Sequence, residues 1–425
     1  MNIDWSKKNI LKIRAEVLYL EETDLSDSHK IQLKLEPWLT AIFQTEHLSL
    51  LLGSGFSTGI GYLAKIKSQG MSRISFNNYK KEISDESERS AKEKERINPN
   101  LEDDFRVSLE LLRGLEILKH NETIKLREEI SNHIKDFCKS IVLTEREFVK
   151  SPEYEKVKSI LTSFLVSFGS RTATRERLHI FTTNYDRFIE YGADQAGLIL
   201  LDSFSGTIEP TFRSTKLELD YHYNPPGIRG EPRYVEGVAR LTKLHGSVDW
   251  RQKEKEIIRT LLPFGANANH PDLENDNQFE VIIYPNSDKG IDTAYYPYSE
   301  LFRDFSSAIC RPNASLVTYG YGFGDSHINR IIRDMLRIPS THLAIISFDT
   351  ADGKIENFYK TVNEDQITLV IGNQLASIDQ LTEHYLPKAA IDRITEKMMR
   401  NLEKRRNPAD SNKPGSDFDA KFGTE

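Results

Sequence analysis

Short apolar runs separated by helical patterns constrain this fold more than any other feature of the chain. They occur at Leu48–Leu52, Leu178–Phe181, Leu198–Leu201, Leu241–Leu244, Val281–Tyr284, Ser315–Tyr319, Leu343–Phe348 and Ile367–Ile371. Helical spacing is clearest between them around Leu301–Ile309 and Ile328–Leu336. A run that is apolar throughout suits a strand buried on both faces, and strands alternating with helices imply βαβ units. The expected fold class is therefore α/β: a Rossmann-like parallel sheet with helices on both faces.

Other stretches read differently. Phe105, Leu109 and Leu112, then Ile130, Ile134, Phe137 and Ile141, then Tyr154, Val157 and Leu161, recur at helical spacing and read as core faces. Residues 72–100 are dense in Lys, Glu, Ser and Arg and read as a solvated loop or an exposed helix. Together, about 72–165 forms an expected helical insertion. Residues 1–46 read as an N-terminal helical segment, with Pro37-Trp38 opening a short helix. The Pro-, Gly- and Tyr-rich stretch 203–238 reads as long loops. The tail from Arg405 reads as disordered. The expected organisation is 1–46, a nucleotide-binding domain over 47–390, and a helix end with a tail over 391–425.

Bulk properties exclude several classes. A content of 38% hydrophobic and 28% charged residues over 425 residues suits a globular chain with a sizeable core. The net charge of −7 argues against a nucleic-acid-binding surface over the whole protein. Two cysteines, Cys138 and Cys310, cannot build a four-thiolate zinc site, and no metal is expected. The first residues lack a basic-then-apolar leader, and no apolar run reaches the roughly 20 residues needed to span a bilayer. The expected compartment is the cytoplasm.

Open α/β sheets bind ligands at the carboxyl ends of their strands, so the polar residues that follow the apolar runs carry the chemistry. Four segments qualify. Gly53-Ser54-Gly55-Phe56-Ser57 ends the first run as Gly-x-Gly, a pattern that lets backbone approach a pyrophosphate at a helix start. Thr183-Asn184-Tyr185-Asp186 places an amide and a carboxylate two residues apart, although Asn, Asp and Thr also favour helix caps. His245-Gly246-Ser247 puts an imidazole at a strand end, as a general base or as a structural histidine. Gly320-Tyr321-Gly322-Phe323-Gly324-Asp325-Ser326-His327 is a second glycine loop, or an aromatic-glycine turn, with His327 in the first turn of the next helix.

The order of these segments resembles the sirtuin superfamily. Gly53-Ser54-Gly55-Phe56-Ser57 is similar to the sirtuin Gly-Ala-Gly-x-Ser loop. Thr183-Asn184-Tyr185-Asp186 is similar to Gln-Asn-x-Asp with Thr in place of Gln. His245-Gly246 is similar to the catalytic His-Gly, and Gly320-Tyr321-Gly322 is a looser counterpart of a later Gly-Thr-Ser loop. The resemblance spans roughly 47–372. The chain departs from sirtuin deacylases in lacking the four-cysteine zinc module and in having Gly61-Tyr62-Leu63 where Pro-Asp-Phe-Arg would follow the first loop. The helical insertion also stands where a sirtuin small domain would begin. With Ile282-Ile283-Tyr284-Pro285, Lys289, Tyr296-Pro297-Tyr298 and Leu301-Phe302, the pattern looks most like the sirtuin-like proteins of bacterial anti-phage defence. Among these it most resembles the subunit that pairs with a HerA-type hexameric ATPase.

That resemblance implies an NAD glycohydrolase with NAD as substrate. It implies Asn184 and His245 as catalytic residues. It implies NAD contacts from Gly53, Ser54, Gly55, Phe56, Ser57, Thr183, Asp186, Gly320, Gly322, Gly324 and Asp325, with Asp349 a candidate for the adenine ribose. It further implies a homo-oligomer, a HerA-type ATPase partner, no direct nucleic-acid binding and no membrane. Three alternatives remain open on sequence: a nucleotide sensor without turnover, a scaffold subunit, and an NAD-dependent deacylase or ADP-ribosyltransferase.

Overall fold

The computed structural model describes residues 3–21, 28–67, 73–93, 99, 101–171, 175–223, 233–273 and 296–388. The chain divides into a body, Met1–Leu386, and a second unit, Pro387–Glu425. The expected strand at Val281–Tyr284 and the expected disordered tail lie outside the described residues.

In chain order the strands are β1 Ile10–Ile13, β2 Glu16–Tyr19, β3 His47–Leu52, β4 Leu178–Thr182, β5 Ile199–Leu201, β6 Phe204–Ser205, β7 Thr211–Phe212, β8 His222–Tyr223, β9 Arg233–Tyr234, β10 Val238–Lys243, β11 Trp250–Lys253, β12 Glu256–Arg259, β13 Ala314–Tyr319, β14 His342–Ser347 and β15 Ile367–Ile371. The main helices are α1 Ser28–Phe43, α2 Ser54–Leu63, α3 Lys80–Glu93, α4 Leu101–Ile117, α5 Thr123–Lys150, α6 Tyr154–Gly169, α7 Phe188–Ala196, α8 Tyr298–Ile309 and α9 Ser326–Leu336. A nine-stranded sheet runs β2-β1-β15-β14-β13-β3-β4-β10-β5. Every pairing from β15 through β5 is parallel, and only the β1–β2 hairpin adds antiparallel. The α/β class read from the apolar runs is the observed one.

The period-2 alternation of side chains decides which core each strand residue enters. Leu48, Leu50, Leu52, Ile180, Val317 and Ile346 face a core with Leu35 and Leu39 of α1, Phe56 and Ile60 of α2, Leu161 and Phe164 of α6, and Phe188 of α7. Leu51, Phe181, Leu316, Ile345 and Leu369 face the opposite core with Leu301 and Phe305 of α8 and Ile328 and Ile332 of α9. A small sheet, β11-β12-β7-β6, joins that second core through Phe204, Phe212, Trp250 and Ile257. It occupies part of the stretch expected as long loops.

Helices α3 to α5 build a third core from Ile83, Phe105, Leu112, Leu126, Ile130, Ile134 and Cys138. Tyr185, Val248, Leu262 and Leu273 close it, so the insertion rests on the loops that follow β4 and β10. Four expectations change here. The stretch 80–93 is a helix with Ile83, Ser87 and Ala91 buried, since it is amphipathic despite its charge. Helix α6 belongs to the sheet layer: its Phe164 packs on Phe56 and Tyr319. The N-terminal segment begins with a hairpin, because β15 would otherwise expose an unpaired edge. Its Lys12 is 1% exposed and donates to Glu364 O at 2.7 Å and Ile367 O at 2.8 Å. Pro37 lies inside α1 instead of opening it.

Candidate active site

The four segments singled out in the sequence meet at one edge. β13, β3, β4 and β10 are consecutive in the sheet and parallel, so all four segments leave its carboxyl edge. From β3 the chain runs to one side through β4 and β10, then returns across the sheet to β13, β14 and β15 on the other side. The β3/β13 boundary is thus the topological switch point, where open α/β sheets hold ligands. Both glycine loops sit there.

Hydrogen bonds continue the sheet ladder past the strand ends. Leu244 N donates to Thr182 O at 2.8 Å, Thr183 N to Leu52 O at 3.2 Å, Gly53 N to Tyr319 O at 3.1 Å and Gly320 N to Ile346 O at 3.1 Å. The two glycine loops then interlock. Gly55 N donates to Gly320 O at 2.9 Å, and a Cβ on Gly53 would lie 2.5 Å from Gly320 O and 2.6 Å from Tyr321 Cα. Gly320 has φ +60°, which only glycine adopts at little cost. Sequence reasoning assigned these glycines to a pyrophosphate. In the structure Gly53, Gly55 and Gly320 are also required by the contact between the loops. The helix that opens at Ser54 still directs its positive dipole end to this edge.

Phe56 requires a correction. Its side chain is 0% exposed and packs on Phe164 and Tyr319, so a ligand cannot meet the ring. An apolar residue in the first turn of a helix over a sheet turns toward the core, and burying it contributes roughly 1.5–3 kcal/mol.

Past β4, Asn184 is buried and its amide is fully directed. Nδ2 donates to Gly53 O at 2.9 Å and to Ser57 Oγ at 2.8 Å. The Ser57 hydroxyl in turn donates to Asp186 Oδ2 at 2.6 Å. Asp186 Oδ1 accepts from Phe188 N at 3.3 Å, an Asx-type turn one residue ahead of the N-cap Arg187, so the carboxylate is not itself the helix cap. Thr182 Oγ1 donates to Leu52 O and accepts from Asn184 N, which pins the turn.

Past β10, Gly246 has φ +89° and turns the chain. Val248 N donates to Tyr185 O at 3.0 Å, tying the histidine loop to the asparagine loop. His245 is 4% exposed, and its Nε2 lies 3.1 Å from Asp325 Oδ2. Asp325 Oδ1 accepts from His327 N and Ile328 N and so caps α9. A carboxylate only accepts, so in a neutral imidazole this contact places the proton on Nε2. Asp325, expected to touch NAD, is bonded to the candidate base. Nothing in local sequence links two residues 80 positions apart.

The remaining expected contacts sit around this centre. Thr183 is half-buried beside Asn184, and Gly322 and Gly324 continue the second loop, whose Tyr321 and Phe323 are buried. Asp349 is exposed just past β14, and its Oδ1 accepts from Ala351 N at 2.8 Å.

Sequence reasoning missed the ion pair behind the site. Arg187, directly after Asp186, meets Glu145 of α5, with Nη2 to Oε2 at 2.5 Å and Nε to Oε1 at 3.1 Å. Glu145 Oε1 also accepts from Arg187 N at 3.0 Å. Glu145 is 0% exposed. Burial opposes the guanidinium charge, but Glu145's charge and hydrogen bonds outweigh it and hold Arg187 above its ordinary value. The sign that could have flagged the pair is a carboxylate on the apolar face of α5, between Val142 and Phe148.

The fold and site define a Rossmann-like α/β domain with a buried amide and an imidazole on neighbouring strand ends beside its switch point. Residues 178–369 match the family model of the SIR2-like domain, which supports a sirtuin-like protein with NAD-related chemistry. The match covers the strands that carry Asn184, His245 and the second glycine loop, and it begins after the first loop. No curated protein matches the chain. Among the described residues, no helix is long and apolar enough to cross a membrane, and no group of three or more His, Cys, Asp or Glu side chains is arranged to hold a metal ion.

Proposed function

We propose that the protein is an NAD glycohydrolase that splits NAD and water into nicotinamide and ADP-ribose. The observation that carries this reading is the placement of Asn184 and His245 on neighbouring strand ends, beside two interlocked glycine loops at the switch point. The nicotinamide–ribose bond has a cationic leaving group. Nicotinamide departs with the bonding electron pair and needs no proton, unlike an ordinary glycoside. The protein's work is to hold the dinucleotide, direct a water to the anomeric carbon and take up its proton. Asn184 would direct the water or the ribose hydroxyls, and His245, oriented by Asp325, would take up the proton. The second glycine loop and Asp349 would hold the adenosine half.

By the same reading the protein is an effector of anti-phage defence that depletes NAD. It would act as a homo-oligomer together with a HerA-type hexameric ATPase, in the cytoplasm. The insertion, which rests on both catalytic loops, supports the idea that assembly and activity are coupled. The test is incubation of the protein with NAD, alone and with that ATPase, with the products resolved by chromatography. Formation of nicotinamide and ADP-ribose supports the proposal. Binding of NAD or ADP-ribose without products would favour a sensor, and acyl transfer from a peptide would favour a deacylase.

A further inference from the structure

We infer that Ser57, held by Asp186, is a positioning residue that sets the direction of the Asn184 amide, and that Ser57 is not an NAD ligand. The inference deepens the hydrolase reading and rests on it for its kinetic consequence.

The geometry is a relay of three side chains. Asn184 has two amide protons, and both are used: one goes to Gly53 O at 2.9 Å and the other to Ser57 Oγ at 2.8 Å. Ser57 has one hydroxyl proton, and it goes to Asp186 Oδ2 at 2.6 Å. Turning the Asn184 amide by 180° would place its oxygen against the Gly53 carbonyl, acceptor against acceptor, so the hydrogen-bond inventory allows one orientation. In that orientation Nδ2 is locked to the loop after β3. Oδ1 is the atom left to accept a proton, and it has no hydrogen-bond partner among the described residues. An acceptor held there suits a water or a ribose hydroxyl and does not suit a phosphate.

The same relay removes Ser57 from the phosphate-binding role that its place in the glycine loop suggests. Its proton is committed, and the carboxylate at the far side of that bond would repel a pyrophosphate. Asp186 in turn spends Oδ2 on Ser57 and Oδ1 on Phe188 N. The carboxylate thereby ties the start of α7 to the start of α2, with Asn184 between them.

A double-mutant cycle tests this. Ser57→Ala, Asn184→Ala and the double variant are compared for kcat, KM, ADP-ribose affinity and thermal midpoint, with Ser57→Thr as the variant that keeps a hydroxyl. Loosening an amide that directs the nucleophile costs about 10- to 100-fold in kcat. Ser57→Ala should show that loss with KM and ADP-ribose affinity within about threefold of wild type, as expected for a group acting only in the transition state. Ser57→Thr should recover most of it. The double variant should be no slower than Asn184→Ala, because Ser57 would act only through Asn184. Effects that multiply, or a Ser57→Ala variant with unchanged kcat and ADP-ribose binding weakened more than about tenfold, would make Ser57 a ligand and overturn the inference. Crystal structures of wild type and Ser57→Ala separate this outcome from failure of the hydrolase reading. The inference requires the Asn184 amide to turn or lose its order in the variant whether or not NAD is consumed, and an unmoved amide rejects it.

Discussion

Glu145→Ala isolates the link between the helical insertion and the loop that follows β4. Glu145 is wholly buried and accepts from Arg187 N, Nε and Nη2, and from Gly265 N at 3.4 Å. Removing it leaves the Arg187 guanidinium inside the protein without its paired carboxylate, held by the carbonyls of Leu262 and Pro263 and lying over the Phe264 ring. Breaking a buried pair from one side costs about 3–5 kcal/mol, whereas replacing both partners with apolar side chains is often neutral or better. Against a typical total stability of about 5–15 kcal/mol, the single loss is large. Urea unfolding should therefore show Glu145→Ala losing about 3–5 kcal/mol and Glu145→Met/Arg187→Met recovering most of it. Activity should not recover in parallel, because the double variant also loses the bond from Glu145 to the backbone that follows Asp186. A Glu145→Ala variant within 1 kcal/mol of wild type, or a double variant no more stable than the single, would refute the reasoning.

Three further outcomes follow from the structure. Gly53→Ala should lose about 1–3 kcal/mol or more through backbone overpacking, while Gly114→Ala in α4, where a Cβ would meet nothing within 4 Å, should gain roughly 0.5–1 kcal/mol; thermal melts distinguish them. Burial, then Lys12, lowers His342 from 6.5 to about 4, so the folded state binds fewer protons there than the unfolded state. The stability from a neutral His342 is complete above about pH 6.5 and is lost as pH falls toward 4, at most about 3 kcal/mol; denaturant titrations at several pH values should show a shallower acid slope in His342→Gln. Asn184→Ala should remain folded by circular dichroism yet lose about 10²- to 10⁴-fold in NAD turnover, comparable to a positioned catalytic group.

The sheet was legible in the sequence because its strands are buried on both faces and therefore largely apolar, as Leu48–Leu52 and Ile367–Ile371 are apart from the buried Ser49 and Thr368. The β1–β2 hairpin was not, since it is four residues per strand and carries Lys12, a residue that reads as solvated until Glu364 O and Ile367 O supply its partners. β10 begins three residues earlier than its apolar run because Arg240 interrupts the pattern. At the site, the carboxyl-edge rule anticipated that the four segments would lie at one edge of the sheet, as they do. What the sequence could not supply were partners. The need for glycine at 53 and 55 arises from Gly320, the His245 orientation from Asp325, and the Asn184 orientation from Gly53 O and Ser57. Each of these pairings is long-range, created by strand order and invisible to spacing. The insertion was legible as helices through its stripes, but its seat on Tyr185 and Val248 was not.

The central claim is that the carboxyl edge of this sheet hydrolyses NAD with His245 as its base. Incubating wild type and His245→Ala with NAD, in the presence of the HerA-type ATPase, and resolving products over time tests it most directly. The expected result is equimolar nicotinamide and ADP-ribose from wild type and a loss of about 10²- to 10⁴-fold in the variant. Wild-type rates in His245→Ala, or no release of nicotinamide from the assembled wild-type protein, would contradict it.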